Sequence, residues 1–575
     1  MKSLLKHRWI RVNQTTLIFI LTYSVLLLIP EFFLIGKLSL PIYLFALGFN
    51  FLFYLSISYA LCVIGQLCGR YIGKVWYVFW HILIYSFSIS NVFLYVFFGL
   101  RWDTFTIMLL NETNEAEVSG FISTYFTSAK FYYLISLYLC IAVIEVFCLR
   151  RATKKEIKFG KLKWIAIPIL LLMLCQVVFF STDYERNYRW AKGTPIKRNM
   201  LWKLEQSVLI YQENQKEFSI CADNQVNVSI DSCSYQSPNI IIIIGESYIK
   251  RHSSLYGYGK DTNPLLSKED NLYIYKDVIS PYNYTSESFK YFLSMASMED
   301  RIKWCEAPLF PTLFRKAGYH VTFYSNQLVK GAEQTQFDAK AGFISHPAIE
   351  PYIIDSRNSD KYTYDAELID QYVKDYEQSD KYPYNLTFFH LFGQHVKAKD
   401  RYPQEFECFH ASDYPERTEL NENQRQEVAE YDNATRYNDY VVDKIISLFK
   451  EQDAIVIYFS DHGDEVNDYR PRIGRSYDFA DMESKGFHCQ FDVPFVIYVT
   501  DLFKQNHPDI VQEIEMSTNR RFMTDDLPHL VLYLAGIDCQ WYNSQRNLIS
   551  HDFQNNRQRL VSANRIDYDE FCRTH

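Results

Sequence analysis

An α-helical membrane domain with five spans, followed by an α/β domain built on a mostly parallel sheet, is the fold class this sequence predicts. Three observations predict it. Five apolar segments of spanning length crowd into residues 1–181, and the loops between them alternate in charge. From residue 237 onward, short apolar runs alternate with helical patterns.

The bulk composition hides this division. Hydrophobic residues make up 48% of the 575-residue chain, and the mean hydropathy is −0.17. Both are ordinary because a strongly apolar first part is averaged with a polar remainder. The net charge of −8 is spread out. No basic stripe or nucleic-acid-binding motif occurs, so nucleic acid is excluded as a partner.

The apolar segments lie near 14–35, 39–66, 76–100, 129–149 and 163–181. Each reaches membrane-spanning length, roughly 20 residues for a helix crossing a bilayer. The first follows Lys2, Lys6, Arg8 and Arg11 but carries no small-residue cleavage site, so it reads as a retained span. Orientation follows from the short loops. The N-terminus, the 67–75 loop (Arg70, Lys74) and the 150–163 loop (Arg150, Arg151, Lys154, Lys155, Lys158, Lys161, Lys163) are basic. The 101–128 loop is acidic, with Asp103, Glu112, Glu115 and Glu117. Basic loops stay cytoplasmic. Five crossings then place everything after residue 181 outside, which in a bacterium means the periplasm or the cell exterior.

The chain thus divides into 1–181, a membrane domain; 182–236, an amphipathic bridge carrying Trp202, Leu204, Val208 and Leu209; and 237–575, the outer domain. Of twelve cysteines, seven fall in the outer part. An oxidising compartment permits disulfides there, and Cys221 with Cys233 forms a plausible short loop.

In the outer domain Ile240–Ile244 is apolar at every position, as a strand covered on both faces should be. His320–Tyr324, Leu386–Leu391, Ala454–Phe459 and Phe495–Val499 are similar, and Ala366–Tyr376 and Gln426–Phe449 read as helices between them. Alternation of this kind predicts a parallel α/β sheet, whose ligands sit at the carboxyl ends of the strands. Those ends carry Glu246, then Asn326 and Lys330, then His395, then Asp461 and His462.

Glu246, Asp461 and His462 offer two carboxylates and one imidazole, a zinc set once a fourth ligand is added. A water or a hydroxyl side chain can complete it. The stretch 280–290 places Thr285, Ser286 and Ser288 before the apolar pattern Phe289, Phe292, Leu293. Any of the three can be a nucleophile, and all can be helix-start residues satisfying backbone N–H groups.

Gly245-Glu246-Ser247, Ser254-Leu255-Tyr256-Gly257-Tyr258, Thr262-Asn263-Pro264 and Ser460-Asp461-His462-Gly463 resemble the bacterial phosphoethanolamine transferases. That family includes the enzymes that decorate lipid A and the LPS core, and the colistin-resistance relatives. The resemblance implies five spans and an alkaline-phosphatase/sulfatase-like domain, with Zn²⁺ held by Glu246, Thr285, Asp461 and His462. It implies that Thr285 is the nucleophile and passes through a phosphoethanolamine-threonine intermediate. Asn326, Lys330 and His395 match positions that contact the phosphoethanolamine group, with His395 also a general acid. Thr113 and Glu117 match a loop motif near the lipid-binding crevice. The implied donor is phosphatidylethanolamine and the implied acceptor a cell-envelope glycolipid, lipid A or LPS core, with the protein a monomer. The resemblance also implies a multi-pass protein of the inner membrane with a periplasmic domain.

Three departures accompany it. Asp492 stands where the family often has a histidine before Val493-Pro494-Phe495, and His488 is the nearby imidazole that can take its place in substrate binding. No cysteines flank Thr285, unlike the lipid A enzymes. The residue after Asp-His-Gly is Asp464, followed by Glu465. The setting of Thr285 is closer to the LPS-core branch.

Two alternatives belong to other classes. A phosphoglycerol transferase of the lipoteichoic acid synthase type shares the architecture but takes phosphatidylglycerol. A catalytically inactive, membrane-anchored binding module would hold no zinc. Sulfatase activity is disfavoured, because Tyr284–Phe289 lacks the formylglycine motif.

Overall fold

The computed structural model describes residues 13–34, 40–98, 102, 129–152, 200–328, 342–395, 397–471, 473–475, 479 and 482–575. The chain forms two compact units, Met1–Asn214 and Gln215–His575.

The first unit is helical: α1 (Gln14–Leu28), α2 (Leu40–Leu67), α3 (Gly69–Phe98) and α4 (Ala129–Arg151). Among the described residues, four helices are long and apolar enough to cross a membrane. The expected fifth segment, 163–181, lies outside the described residues, as do Thr113 and Glu117. Tyr23, Leu26, Tyr54, Val92 and Tyr138 form the common core of the bundle.

One loop expectation is corrected. The expected 67–75 loop shrinks to a turn at Cys68, and Arg70 and Lys74 lie in the opening turns of α3. Tertiary hydrogen bonds explain the tight reversal. Trp76 Nε1 donates to the Leu61 carbonyl at 2.8 Å, and the Tyr77 hydroxyl to the Cys62 carbonyl at 2.7 Å. Side chains at the start of α3 thereby clip the end of α2.

A long helix, α5 (Met200–Val226), follows where the amphipathic bridge is expected. From Gln215 onward it belongs to the second unit, where Phe218 and Cys221 enter the main core.

The second unit is a seven-stranded sheet between helices. Its strands in chain order are β1 (Asn239–Gly245), β2 (Leu272–Ile274), β3 (His320–Ser325), β4 (Ser356–Arg357), β5 (Asn385–His390), β6 (Ala454–Ser460) and β7 (Phe495–Val499). The spatial order is β2-β7-β6-β1-β5-β3-β4. The five strands from β6 to β4 are mutually parallel, while β7 runs antiparallel to β6 and β2 antiparallel to β7. Ile240 to Ile244 are all buried, even and odd residues entering the cores on opposite faces. Burying each isoleucine contributes at most about 1.5–3 kcal/mol, so β1 holds the two layers together.

Helices α8 (Asp365–Gln378) and α9 (Glu422–Phe449) cover one face. Helices α6 (Thr285–Leu293) and α7 (Phe310–Lys316) cover the other. Helix α10 (Ser484–Phe491) sits with Tyr282 and the C-terminal Tyr568 and Phe571 in a third cluster. The register aligns the site: Gly245 pairs with Ser460, Ile244 with His390, and Ser325 with His390. The residues that follow β1, β3, β5 and β6 therefore emerge at one level.

Cys221 and Cys233, paired in the sequence expectation, are both free thiols. Cys221 lies buried beside Gln225, whereas Cys233 faces the Ala535 carbonyl.

Candidate metal and nucleophile site

Glu246 and Asp461 follow paired strand ends, and the Asp461 amide donates to the Gly245 carbonyl at 3.1 Å. Ser247 completes the turn with φ of +58°, a left-handed conformation that costs a non-glycine residue about 1–2 kcal/mol. Two partners hold it there. Its amide donates to Asp461 Oδ1 at 3.1 Å, and its carbonyl accepts the Tyr431 hydroxyl of α9 at 2.6 Å. The same hydroxyl accepts the Ile249 amide at 2.7 Å. Ser247 Oγ donates to Glu246 Oε1 at 2.7 Å and so aims that carboxylate.

Glu246, Asp461 and His462 are fully buried, and one ligand atom from each lies within 4.8 Å of the others. His462 Nε2 is 3.1 Å from Asp461 Oδ2 and 3.4 Å from Glu246 Oε1. Its Nδ1 lies 2.7 Å from the Gly463 carbonyl, which fixes the tautomer that leaves Nε2 a lone pair toward the carboxylates. Thr285, the first residue of α6, brings Oγ1 to 3.1 Å from Glu246 Oε2 and 3.3 Å from His462 Nε2. These four residues, chosen from the sequence as metal ligands and nucleophile, converge.

Two close approaches explain glycines in the motifs. At Gly463 a Cβ would stand 2.1 Å from the Cys489 carbonyl oxygen, and the Gly463 amide donates to the Gln490 carbonyl at 3.0 Å. At Gly393, φ is +50° and a Cβ would meet the Glu246 amide at 2.9 Å. The Gln394 amide then donates to the Glu246 carbonyl at 3.1 Å. This second contact carries the loop holding His395 onto Glu246.

Burial of two carboxylates in one pocket is costly, and the titration directions reflect it. Burial and the Glu246 charge push the Asp461 carboxyl well above its usual range. Burial also acts to raise Glu246, but His462, His395 and Arg475 hold it well below. Burial and Arg475 lower His462. Asp461 Oδ2 is buried without a hydrogen-bond donor among the described residues. An orphaned carboxylate oxygen beside a second carboxylate and a neutral imidazole is the donor set that a divalent cation satisfies, so these residues fit a metal ion.

The structure adds two residues. Gln327, two positions past β3, donates Nε2 to Glu246 Oε2 at 3.2 Å and to the Leu391 carbonyl at 2.7 Å. Its amide also lies 3.2 Å from His390 Nε2, on an imidazole that burial pushes down to about 4 and keeps neutral. Arg475 reaches Ser247 Oγ at 3.4 Å and Glu246 Oε1 at 3.8 Å, with Nη1 also against both ring nitrogens of His462. Position after a strand end is a sequence signal for Gln327. Arg475 has none, because only the return of the 466–475 segment brings it to the site.

Other expected residues are placed as follows. His395 is buried on the Phe392–His395 turn, the turn whose Gly393 and Gln394 pack on Glu246. Both ends of the Asn326 amide are spent within the protein. Nδ2 donates to Asp365 Oδ1 at 2.9 Å, Oδ1 accepts the Tyr362 amide at 2.7 Å, and Asp365 in turn accepts the Phe392 and Gly393 amides. Lys330 lies outside the described residues. His488 bonds Tyr568 at 2.7 Å and Asp492 at 3.2 Å, with Lys250 3.3 Å from the same Asp492 carboxylate. His488 and Asp492 are therefore members of one ion-pair cluster rather than alternatives for one place. Of the three hydroxyls, Ser288 donates to the Tyr282 carbonyl at 3.1 Å, and the α6 N-cap, Tyr284, has no side-chain cap. The expected capping of backbone N–H groups by Ser286 and Ser288 is not what holds this helix start.

Residues 238–537, more than half of the chain, match the sulfatase family. The chain belongs to the sulfatase family. This sulfatase-family chain is 24% identical over 510 residues to phosphoethanolamine transferase EptC of Escherichia coli (strain K12), covering 85% of each protein. The C-terminal periplasmic domain of E. coli EptC, in its crystal structure, is 25% identical and superposes with a TM-score of 0.50. The match covers 60% of this chain and 95% of that one. The integral membrane protein lipooligosaccharide phosphoethanolamine transferase A (EptA) of Neisseria meningitidis shares the fold, with a TM-score of 0.54 at 16% identity. That likeness spans 93% of this chain and 96% of that one, and so covers both the apolar helices and the sulfatase-like α/β domain.

Proposed function

We propose that this chain transfers phosphoethanolamine from phosphatidylethanolamine to a cell-envelope glycolipid, lipid A or LPS core, through a phosphoethanolamine-Thr285 intermediate. The observation that carries the reading is the Thr285 hydroxyl, 3.1 Å from Glu246 and 3.3 Å from His462 at the first turn of α6. The similarity to phosphoethanolamine transferases supports the transferred group. In this reading the protein is a monomer of the bacterial inner membrane with its catalytic domain in the periplasm. The membrane domain is 1–181, the bridge 182–236 and the catalytic domain 237–575.

Zn²⁺, held by Glu246, Thr285, Asp461 and His462, would supply a Lewis acid that polarises a phosphoryl oxygen and eases loss of the hydroxyl proton. Thr285 Oγ1, its proton passing to solvent, attacks phosphorus. A bond forms from Oγ1 to phosphorus, and the bond from phosphorus to the diacylglycerol oxygen breaks. The leaving oxygen takes a proton from His395. The α6 N-terminus and the Lys330 cation stabilise charge on the equatorial oxygens. An acceptor hydroxyl, giving its proton to the now neutral His395, or an acceptor phosphate oxygen then attacks the same phosphorus, the bond from Oγ1 to phosphorus breaks, and Thr285 takes back a proton from solvent. Asn326 acts through Asp365, holding the Phe392–Gly393 turn that carries His395. Thr113 and Glu117 contact the donor lipid. His488 is left out, since its ring serves Asp492 and Tyr568.

Incubating the purified chain with headgroup-labelled phosphatidylethanolamine and, separately, labelled phosphatidylglycerol tests the donor. Label on the protein and then on lipid A or LPS only with the first lipid is the expected result. Transfer from phosphatidylglycerol alone would assign the chain to phosphoglycerol transfer.

A further inference from the structure

Helix α6 does more than present Thr285. One turn beyond the nucleophile, Lys290 is buried although its side chain ends in a cation. An ammonium group there is tolerated only when paired. Its Nζ donates to Glu287 Oε1 at 2.8 Å and lies 3.7 Å from Glu217 Oε2, with the Trp304 ring 5.3 Å away. Glu217 belongs to α5, and its carboxylate is closely held. It accepts Trp304 Nε1 at 3.0 Å and Lys303 Nζ at 3.2 Å.

The same stretch of α5 is anchored twice more. Asn224 Nδ2 donates to the Cys305 carbonyl at 2.9 Å, and Gln225 Oε1 accepts the Leu309 amide at 2.9 Å and Thr312 Oγ1 at 2.8 Å. Helix α5 is thus stitched to the 304–312 segment, and through Glu217–Lys290 to the nucleophile helix. The remaining supports of α6 are largely apolar, Phe289 against His390 and Phe292 against Phe459. Apolar packing resists separation but fixes axial register weakly. An ion pair from the buried Lys290 to the partly buried Glu217, 3.7 Å long, has a direction along the helix and so specifies it.

We infer that Glu217 and Lys290 are positioning residues for the transfer reaction: their ion pair sets the register of α6 on α5, and with it the placement of Thr285 Oγ1. The inference rests on the proposed reaction and deepens it, because α5 becomes the element whose position governs the nucleophile. Misplacing a reacting atom by about 1 Å costs on the order of 10²-fold in rate. The loss should fall on kcat with KM for the donor unchanged, since ground-state binding of the lipid is not touched.

The test uses the full chain with metal. Lys290→Met keeps the stem and removes the charge, Glu217→Gln keeps the shape, and Lys290→Arg restores a cation. Expected are a kcat loss on the order of 10²-fold in Lys290→Met, a smaller loss in Glu217→Gln, unchanged KM, and recovery in Lys290→Arg. Hydrogen exchange of the 285–288 amides should quicken in the first two variants while the sheet amides stay protected. That arm decides the inference even if the wild type transfers no phosphoethanolamine, an outcome that would sink the proposed reaction alone. A folded Lys290→Met protein with wild-type kcat, or with wild-type exchange at 285–288, overturns the inference. So does a loss that Lys290→Arg fails to recover.

Discussion

Replacing Gly463 by alanine probes the tightest contact behind the site. The added Cβ would lie 2.1 Å from the Cys489 carbonyl oxygen, 3.1 Å from its carbon and 3.2 Å from the Gln490 carbon. An ordinary carbon–oxygen contact is about 3.3 Å, so the two backbones must part by about 1 Å. Both partners are main chain, and neither can rotate away. Separation stretches the 3.0 Å bond from the Gly463 amide to the Gln490 carbonyl, worth about 1 kcal/mol. Overpacking adds about 1–3 kcal/mol. Together these make about 2–4 kcal/mol, or a Tm fall of about 4–8 °C at roughly 2 °C per kcal/mol for a large domain. His462 is the adjacent residue, so the displacement reaches a proposed metal ligand and turnover should drop on the order of 10²-fold. Differential scanning fluorimetry with metal analysis and donor turnover on one preparation reads all three quantities. A Gly463→Ala protein with wild-type Tm, metal content and kcat would refute the close approach and the account of this motif glycine.

Three further outcomes are expected. Gln327→Leu removes the amide that props Glu246 Oε2, and metal affinity should fall about 10–100-fold, the usual loss for a group behind a ligand; unchanged competition against a chelating dye would argue otherwise. Chelation should lower the Tm of the second unit, since a metal at 100 times its Kd stabilises by about 2.7 kcal/mol; an identical Tm with and without chelator would count against a bound ion. His252 bonds Asp432 at 2.5 Å and Asp468 at 3.1 Å, and although burial opposes its charge, Asp468 and Asp432 hold it up to about 10. Its stabilisation is complete below its ordinary value near 6.5 and is lost as pH rises through 10, so His252→Gln should flatten the decline in Tm between pH 6.5 and 10, and a parallel decline in both proteins would contradict this.

What was legible in the sequence follows from which forces are local. Ile240–Ile244 reads as a strand because burial on both faces demands apolar side chains throughout, and β1 spans Asn239–Gly245. Glu246, Asp461 and His462 could be picked out as a group because a parallel sheet sends its strand ends to one level, and their residue types are ones that can ligate a metal. Thr285 was one hydroxyl of three in the residues themselves. The fold separates them, turning Thr285 Oγ1 toward Glu246 and Ser288 Oγ toward the Tyr282 carbonyl.

What escaped depends on tertiary contact. Gln327 and Arg475 carry no metal-ligating or nucleophilic signature and matter only through what they touch. The Cys221–Cys233 pairing rested on sequence distance, whereas α5 draws Cys221 into the core and a short strand at Ser232–Cys233 pairs with Ile537–Asp538. The 67–75 loop rested on its charges, which the opening turns of α3 carry equally well. His488 stands four residues before Asp492, and that local pair, capped by Tyr568, absorbs the imidazole.

Covalent chemistry at Thr285 is tested by peptide-mapping mass spectrometry after brief exposure of the metal-loaded chain to phosphatidylethanolamine. Phosphoethanolamine on the peptide containing Thr285, absent from Thr285→Ala and discharged by added acceptor lipid, is the predicted result. An adduct on another residue, or turnover that persists in Thr285→Ala, would contradict it.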